Sequence, residues 1–168
     1  MSFEEPLLPR TDINLILSKL LENEIDFILV GGMAAVFYGV STVTYDVDVC
    51  FRFESHNIQK LLKALKDIHP RVRTQLAWQE LSEMPLEQLV RLDNLYLKTD
   101  CGGLDLLGGL REIGDYQKVY EHTETVKIFD FPCRVLDLDS LISIKKNIGR
   151  PKDIQVSLEL EAIKEKLK

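Results

Sequence analysis

Residues 30–53 read VGGMAAVFYGVSTVTYDVDVCFRF. An apolar, β-rich run ends at Gly31-Gly32, which is the pattern of a buried strand that enters a tight turn. The residues that follow favour a short helix, starting at about Met33, that ends at Gly39. Apolar and polar side chains then alternate over residues 44–53, and this period of two predicts a second strand. The predicted order is therefore strand, Gly-Gly turn, helix, strand.

Asp46 and Asp48 are the most informative residues of this second strand. Acids two positions apart on a strand project to the same face, with about 6–7 Å between their backbone positions. Carboxylates in an otherwise apolar run are costly unless they line a cleft or bind a metal. An exposed strand face would also explain a pair of this kind, so the pair by itself leaves both interpretations open.

Asp105 is a third acid in the same situation, because leucines flank it in another predicted strand. Three such acids on adjacent strands would hold Mg²⁺ or Mn²⁺ and leave coordination positions open for phosphate oxygens. Gly31 and Gly32 would let a phosphate approach the backbone at the start of a helix, although a plain turn explains them equally well.

The remaining pattern predicts an α/β (α+β) fold, a mixed β-sheet flanked by helices. Helices are predicted at 12–23, 58–68, 140–147 and 153–167, and strands at 94–99, 103–107, 126–131 and 133–136. Residues 72–90 have mixed periodicity and carry no assignment. Repeats and linker-like segments are not evident, so residues 1–168 are predicted to form a single domain.

Composition limits the classes of function. The formal net charge of −6 lacks the overall positive charge expected of a duplex-DNA-binding protein. Basic residues nevertheless cluster near the C-terminus, where the alternative is a solvated helix end. The cluster consists of Lys145, Lys146, Arg150 and Lys152.

Other residue types predict a reduced, cytoplasmic protein. The three cysteines have no metal-binding or disulfide-like spacing and are predicted to be buried free thiols. Met1–Pro6 is acidic where a signal peptide would be basic, and apolar runs are too short to span a membrane. The aromatic residues Phe37, Tyr38, Tyr45 and Trp78 are expected in the core.

Taken together, three segments resemble the nucleotidyltransferase superfamily that shares the polymerase β-type palm. They are VGGMAA with YG at 30–39, TYDVD at 44–48 and LDLL at 104–107. A later segment, LISIKK followed by GRPKD, looks like the C-terminal part of small bacterial nucleotidyltransferase-like proteins related to AbiEii-type toxins. The resemblance extends from about Leu15 to Leu160.

The resemblance implies an activity and a catalytic centre. Such proteins transfer a nucleoside monophosphate from an NTP to a hydroxyl on an RNA end, a protein or a small molecule, with release of pyrophosphate. It implies a divalent-metal site at Asp46, Asp48 and Asp105, with Asp105 also acting as general base. It further implies nucleotide contacts at Gly31, Gly32, Thr44, Lys145, Lys146, Arg150 and Lys152.

One position departs from the pattern, because many relatives carry an arginine where this chain has Thr42. A missing cation leaves room for a second hypothesis, a catalytically inactive binding or regulatory module that works with a partner protein as part of a toxin–antitoxin pair. A metal-dependent phosphohydrolase is less favoured, because His56, His69 and His122 lack metal-ligand spacing.

Overall fold

The computed structural model describes residues 12–74 and 77–168. Its helices are α1 (Ile13–Glu22), α2 (Gly31–Tyr38), α3 (Ser55–Leu65), α4 (Leu86–Leu89), α5 (Tyr116–Tyr120), α6 (Leu138–Ile148) and α7 (Pro151–Lys166). Its strands are β1 (Phe27–Val30), β2 (Asp46–Phe51), β3 (Arg71–Arg73), β4 (Trp78–Glu80), β5 (Asn94–Thr99), β6 (Gly102–Leu107), β7 (Gly109–Leu110), β8 (Gly114–Asp115), β9 (Thr123–Ile128) and β10 (Phe131–Leu136).

The main sheet has eight strands in the order β4-β3-β5-β6-β2-β1-β10-β9. It is mixed: β2 pairs in parallel with β6 and β1 with β10, while the other neighbours are antiparallel. The short strands β7 and β8 form a separate pair. The predicted α/β fold class, a mixed sheet flanked by helices, is confirmed.

The two faces of the central strands differ in character. Val47, Val49, Leu104 and Leu106 are fully buried on one face, and α1 contacts the strands that carry them. Alternate positions on the same strands carry Asp46, Asp48 and Asp105 on the opposite face. Helices α2, α6 and α7 pack together beside these acids, so the alternation of the sequence separates a core face from a face with carboxylates.

Most boundaries agree with the predictions within a few residues, and the differences have local causes. Helix α2 begins at Gly31 instead of Met33, since the chain turns directly out of β1 at that glycine. Helix α6 begins at Leu138, because the Asp137 side chain caps it by accepting a hydrogen bond of 2.8 Å from the Ser140 N–H. The turn between β9 and β10 lies at Phe129–Asp130, where both residues have positive φ, and Pro132 is inside β10.

Residues 72–90, which carried no assignment, contain parts of β3 and β4 and short helical turns. The prediction of a core position is wrong for Trp78, Tyr45 and Phe37, which are 49%, 52% and 40% exposed. Tyr38 is half-buried and packs against the core. The prediction for the cysteines is confirmed, because Cys50, Cys101 and Cys133 are buried and free.

Among the helices that the structure describes, none combines the length and apolarity that crossing a bilayer requires. Met1–Pro6, on which the expectation of a cytoplasmic location partly depends, lies outside the described residues.

Candidate active site

The three acids meet because β2 and β6 are parallel neighbours. Their register places Asp48 directly beside Asp105 and Asp46 beside Gly103. All three carboxylates line one cavity of about 370 Å³. The structure therefore brings together the acids that the sequence singled out.

Two glycines let the backbone approach these carboxylates. Gly31 has a φ of +65°, and a Cβ added there would lie 2.6 Å from Asp48 Oδ2. A Cβ added at Gly103 would collide with Asp46 Oδ1. Gly103 was not among the predicted site residues, although a glycine inside a strand is a known sign of such close approach. Any side chain at either position would displace a carboxylate.

Burial and neighbouring charge raise the pKa values of two of the acids. Burial, together with the charge of Asp105 and a hydrogen bond to it, raises the pKa of Asp48 to about 7. Burial also raises the pKa of Asp105, and the charge of Asp46 adds to this effect. Raised pKa values of this kind are expected when two carboxylates share a site.

The donor set is chemically suited to a hard divalent cation, since Mg²⁺ and Mn²⁺ prefer carboxylate oxygens. A cation would also relieve the repulsion that raises the pKa of Asp48. Within residues 12–74 and 77–168, however, no three His, Cys, Asp or Glu side chains are arranged to hold a metal. The predicted metal site at Asp46, Asp48 and Asp105 stays a prediction.

The opposite wall of the cavity is basic and comes from the junction of α6 and α7. Lys145, Arg150 and Lys152, three of the residues predicted to contact a nucleotide, line the cavity. Pro151 starts α7 in its first turn, where proline is tolerated. Gly149 ends α6 in the left-handed conformation, and the resulting corner brings the three cations to the cavity that the acids also line.

Asp153, which the sequence analysis did not select, holds this wall together. Its side chain is 3% exposed and accepts a hydrogen bond of 2.6 Å from Arg150 Nε and one of 3.3 Å from Lys145 Nζ. Burial alone would raise the pKa of Asp153, but the Arg150 hydrogen bond and the Lys145 charge outweigh it, so the pKa is lowered. Its position three residues after Arg150 on a helix start was the signal available in the sequence.

The remaining predicted residues divide into two groups. Gly32 and Thr44 line the cavity, as does Thr42, the position at which the sequence departs from the resemblance. The Thr44 hydroxyl donates a hydrogen bond of 2.9 Å to the Asp46 backbone oxygen and so shapes the entry to β2. Lys146 is not brought to the acids: it pairs with Glu161 and borders a separate cavity, because consecutive helix residues point about 100° apart.

A larger cavity of about 750 Å³ lies at the carboxyl ends of β2 and β6, away from Asp46. Arg52 and Arg111 line it, together with Tyr116, over whose ring the Arg52 guanidinium lies at 4.8 Å. The three acids do not line this cavity.

Solved structures share this architecture. A lincosamide antibiotic adenylyltransferase, LnuA, with bound lincomycin is 18% identical, with a TM-score of 0.61 over 90% of this chain and 96% of that one. The chain has the nucleotidyltransferase fold. At 18% identity the likeness concerns the fold alone.

Two further structures agree. A nucleotidyltransferase-like protein from Thermotoga maritima is 12% identical, with a TM-score of 0.54 over 90% of this chain and 94% of that one. ANT(2")-Ia, in complex with adenylyl-2"-tobramycin, is 14% identical, with a TM-score of 0.54 over 91% of this chain and 92% of that one. No protein-family model and no curated protein matches the sequence. Relation to AbiEii-type toxins stays a prediction.

Proposed function

We propose that this protein transfers a nucleoside monophosphate from an NTP to a hydroxyl acceptor with the help of Mg²⁺ or Mn²⁺. The observation that supports this most directly is the single cavity with carboxylates on one wall and cations on the other. Nucleotidyl transfer needs both, because charge develops on the attacking oxygen and on the departing pyrophosphate.

Each wall has a distinct task in this proposal. Lys145, Arg150 and Lys152 bind the triphosphate, and Gly32 lets its oxygens approach the start of α2. Asp46, Asp48 and Asp105 would hold the divalent cation, which polarises the α-phosphate and neutralises the developing charge.

The reaction balances with these groups. The acceptor oxygen forms a bond to the α-phosphorus while the bond from that phosphorus to the bridging oxygen breaks, and pyrophosphate leaves. The hydroxyl proton passes to the carboxylate of Asp105, a base whose raised pKa favours accepting it.

Thermal unfolding and calorimetry with each of the four NTPs, with and without Mg²⁺ or Mn²⁺, test the proposal without knowledge of the acceptor. We expect an NTP to raise the melting temperature only with metal, and Asp46→Asn to abolish the rise. Asp139→Asn is a matched control, because the Asp139 side chain is 72% exposed outside this cavity. NTP binding that persists in Asp46→Asn would contradict the proposed site.

A catalytically inactive binding module is the second candidate. The observation that supports it is that Lys145 and Arg150 pair with Asp153. Two of the three cations therefore already have a counter-charge. A module of this kind, in a toxin–antitoxin pair or elsewhere, would bind metal and NTP without releasing pyrophosphate. Pyrophosphate release with added hydroxyl acceptors separates the two candidates.

A further inference from the structure

The sheet face that carries the acids extends across β5, β3 and β4. On each of these strands one residue lies in line with Asp105. Tyr96 on β5 lies directly opposite Asp105, and extending the β3–β5 register by one residue places Arg73 opposite Tyr96. Arg73 in turn lies opposite Trp78 on β4. Residues opposite each other share a face, so Tyr96, Arg73 and Trp78 form an aromatic row that leads from Asp105 to the sheet edge.

The side chains of the aromatic row are available to a ligand. Tyr96 is 56% exposed and Trp78 is 49% exposed. The Arg73 guanidinium lies over the Trp78 ring, 5.8 Å from its centre, so the cation and the aromatic ring are held together in a cation–π contact. With strands about 4.8 Å apart, the row begins about 5 Å from Asp105 and ends about 14 Å from it.

A second, parallel row is basic. Lys98 lies opposite Gly103, and Arg71 lies opposite Lys98. Of the seven positions that β3, β4 and β5 present on this face, three are basic and Glu80 is the acid. Arg71 also pairs with Asp100 at 3.6 Å, which leaves Arg73 and Lys98 as the basic residues that give the face its positive charge, in a chain whose net charge is −6.

We propose that the aromatic row and the basic row bind the acceptor, and that the acceptor is the end of a single-stranded nucleic acid. Aromatic rings interleaved with cations are the surface on which unpaired bases stack while phosphates are neutralised. In this arrangement the terminal sugar hydroxyl lies at Asp105, the last bases stack on Tyr96 and Trp78, and Lys98 contacts the backbone. The proposal rests on nucleotidyl transfer at the acids, because it supplies the hydroxyl for that reaction.

Binding is tested apart from catalysis by fluorescence anisotropy with labelled oligouridylate and oligothymidylate of about ten nucleotides, without NTP or metal. We expect the protein to bind at least one of the two strands, and the stronger binder identifies RNA or DNA. Tyr96→Ala and Trp78→Ala should each weaken binding about 5- to 150-fold. Tyr96→Phe keeps the ring and should restore binding. Phe129→Ala, at a 44% exposed aromatic in the β9–β10 turn, should change nothing.

The salt dependence of binding supplies a readout that a structural defect would not mimic. Lys98→Gln should lower the slope of log affinity against log salt by about 0.7, the value for one lost phosphate contact on a single strand. Lys127→Gln removes an exposed lysine from β9, at the far edge of the sheet, and should leave the slope unchanged.

Failure of this proposal and failure of the proposed function are distinguishable. If neither oligonucleotide binds, or if the aromatic-row and control variants bind equally well, the acceptor proposal is overturned. Nucleotidyl transfer still stands if metal and NTP bind and a small hydroxyl compound accepts the nucleotide, for example in the 750 Å³ cavity. If the strand binds and gains one nucleotide on a free 3′-hydroxyl, but not on a blocked one, both proposals are supported.

Discussion

The two walls of the candidate active site differ in how their charges are neutralised. On the acid wall, Asp48 and Asp105 lie side by side, and burial together with the charge of Asp105 raises the pKa of Asp48 to about 7. On the basic wall, Asp153 lies between Lys145 and Arg150, and its pKa is lowered. On the basic wall the charges neutralise one another. On the acid wall the carboxylates are neutralised only when a proton or a cation binds.

Neighbouring like charges that the chain does not neutralise indicate a candidate ligand site. Paired charges stabilise the folded chain, and neighbouring like charges destabilise it unless something else binds. Two aspartates of one cavity should therefore respond to the same substitution with opposite signs.

The largest expected effect is on the basic wall. Asp153→Asn should lower the free energy of unfolding by about 3 kcal/mol, because Lys145, 14% exposed, loses its counter-charge. In a chain of this size the melting temperature should fall by roughly 10 °C, measured by thermal unfolding at pH 7.

The matched control for Asp153→Asn is Asp139→Asn, at an exposed pair with Lys164. Its effect should stay below about 1 kcal/mol. The lowered pKa of Asp153 adds a check, since its contribution is present above pH 3.8 and is lost as the pH falls through its folded pKa. Equal stability of the two variants at pH 7 would refute the contrast between walls.

The next effect has the opposite sign. Asp48→Asn should raise the free energy of unfolding by about 2 kcal/mol at pH 8 in a chelator, because it removes a crowded carboxylate. The carboxylate costs stability above pH 7, the cost shrinks as the pH falls toward 3.8, and below that pH it is absent. Urea unfolding of both proteins at pH 8 and pH 4 measures this difference. A variant less stable than the parent at pH 8 would show that Asp48 is not repelled.

The smallest effect concerns the glycine beside Asp48. Gly31→Ala should cost about 1 kcal/mol more than Gly149→Ala, which has a similar positive φ but no neighbour closer than 3.7 Å to an added Cβ. The excess should shrink in an Asp48→Ala background, since the contact with Oδ2 at 2.6 Å is then gone and only the one with Cβ at 3.0 Å remains. Denaturant unfolding of the four variants measures the excess, and an excess of unchanged size in that background would place the strain elsewhere.

Local patterns were enough to predict much of this molecule. Alternation placed Asp46 and Asp48 on one face, and Gly39 ended α2 as expected. Trp78 was misjudged, because composition favours burial of tryptophan while an edge strand has one face without a covering layer. Lys145 and Lys146 are equivalent in the sequence pattern, but they lie on different sides of α6 and border different cavities.

The order of strands and helices, the common face of Asp46 and Asp48, and the glycines at the turns follow from local sequence, since they depend on neighbours within a few residues. The packed fold was needed to place Asp105 beside Asp48, to pair Asp153 with Lys145, and to align Tyr96, Arg73 and Trp78 with the acids. Strand order and register join residues distant in the chain. They depend on how the whole core packs, which no local pattern records.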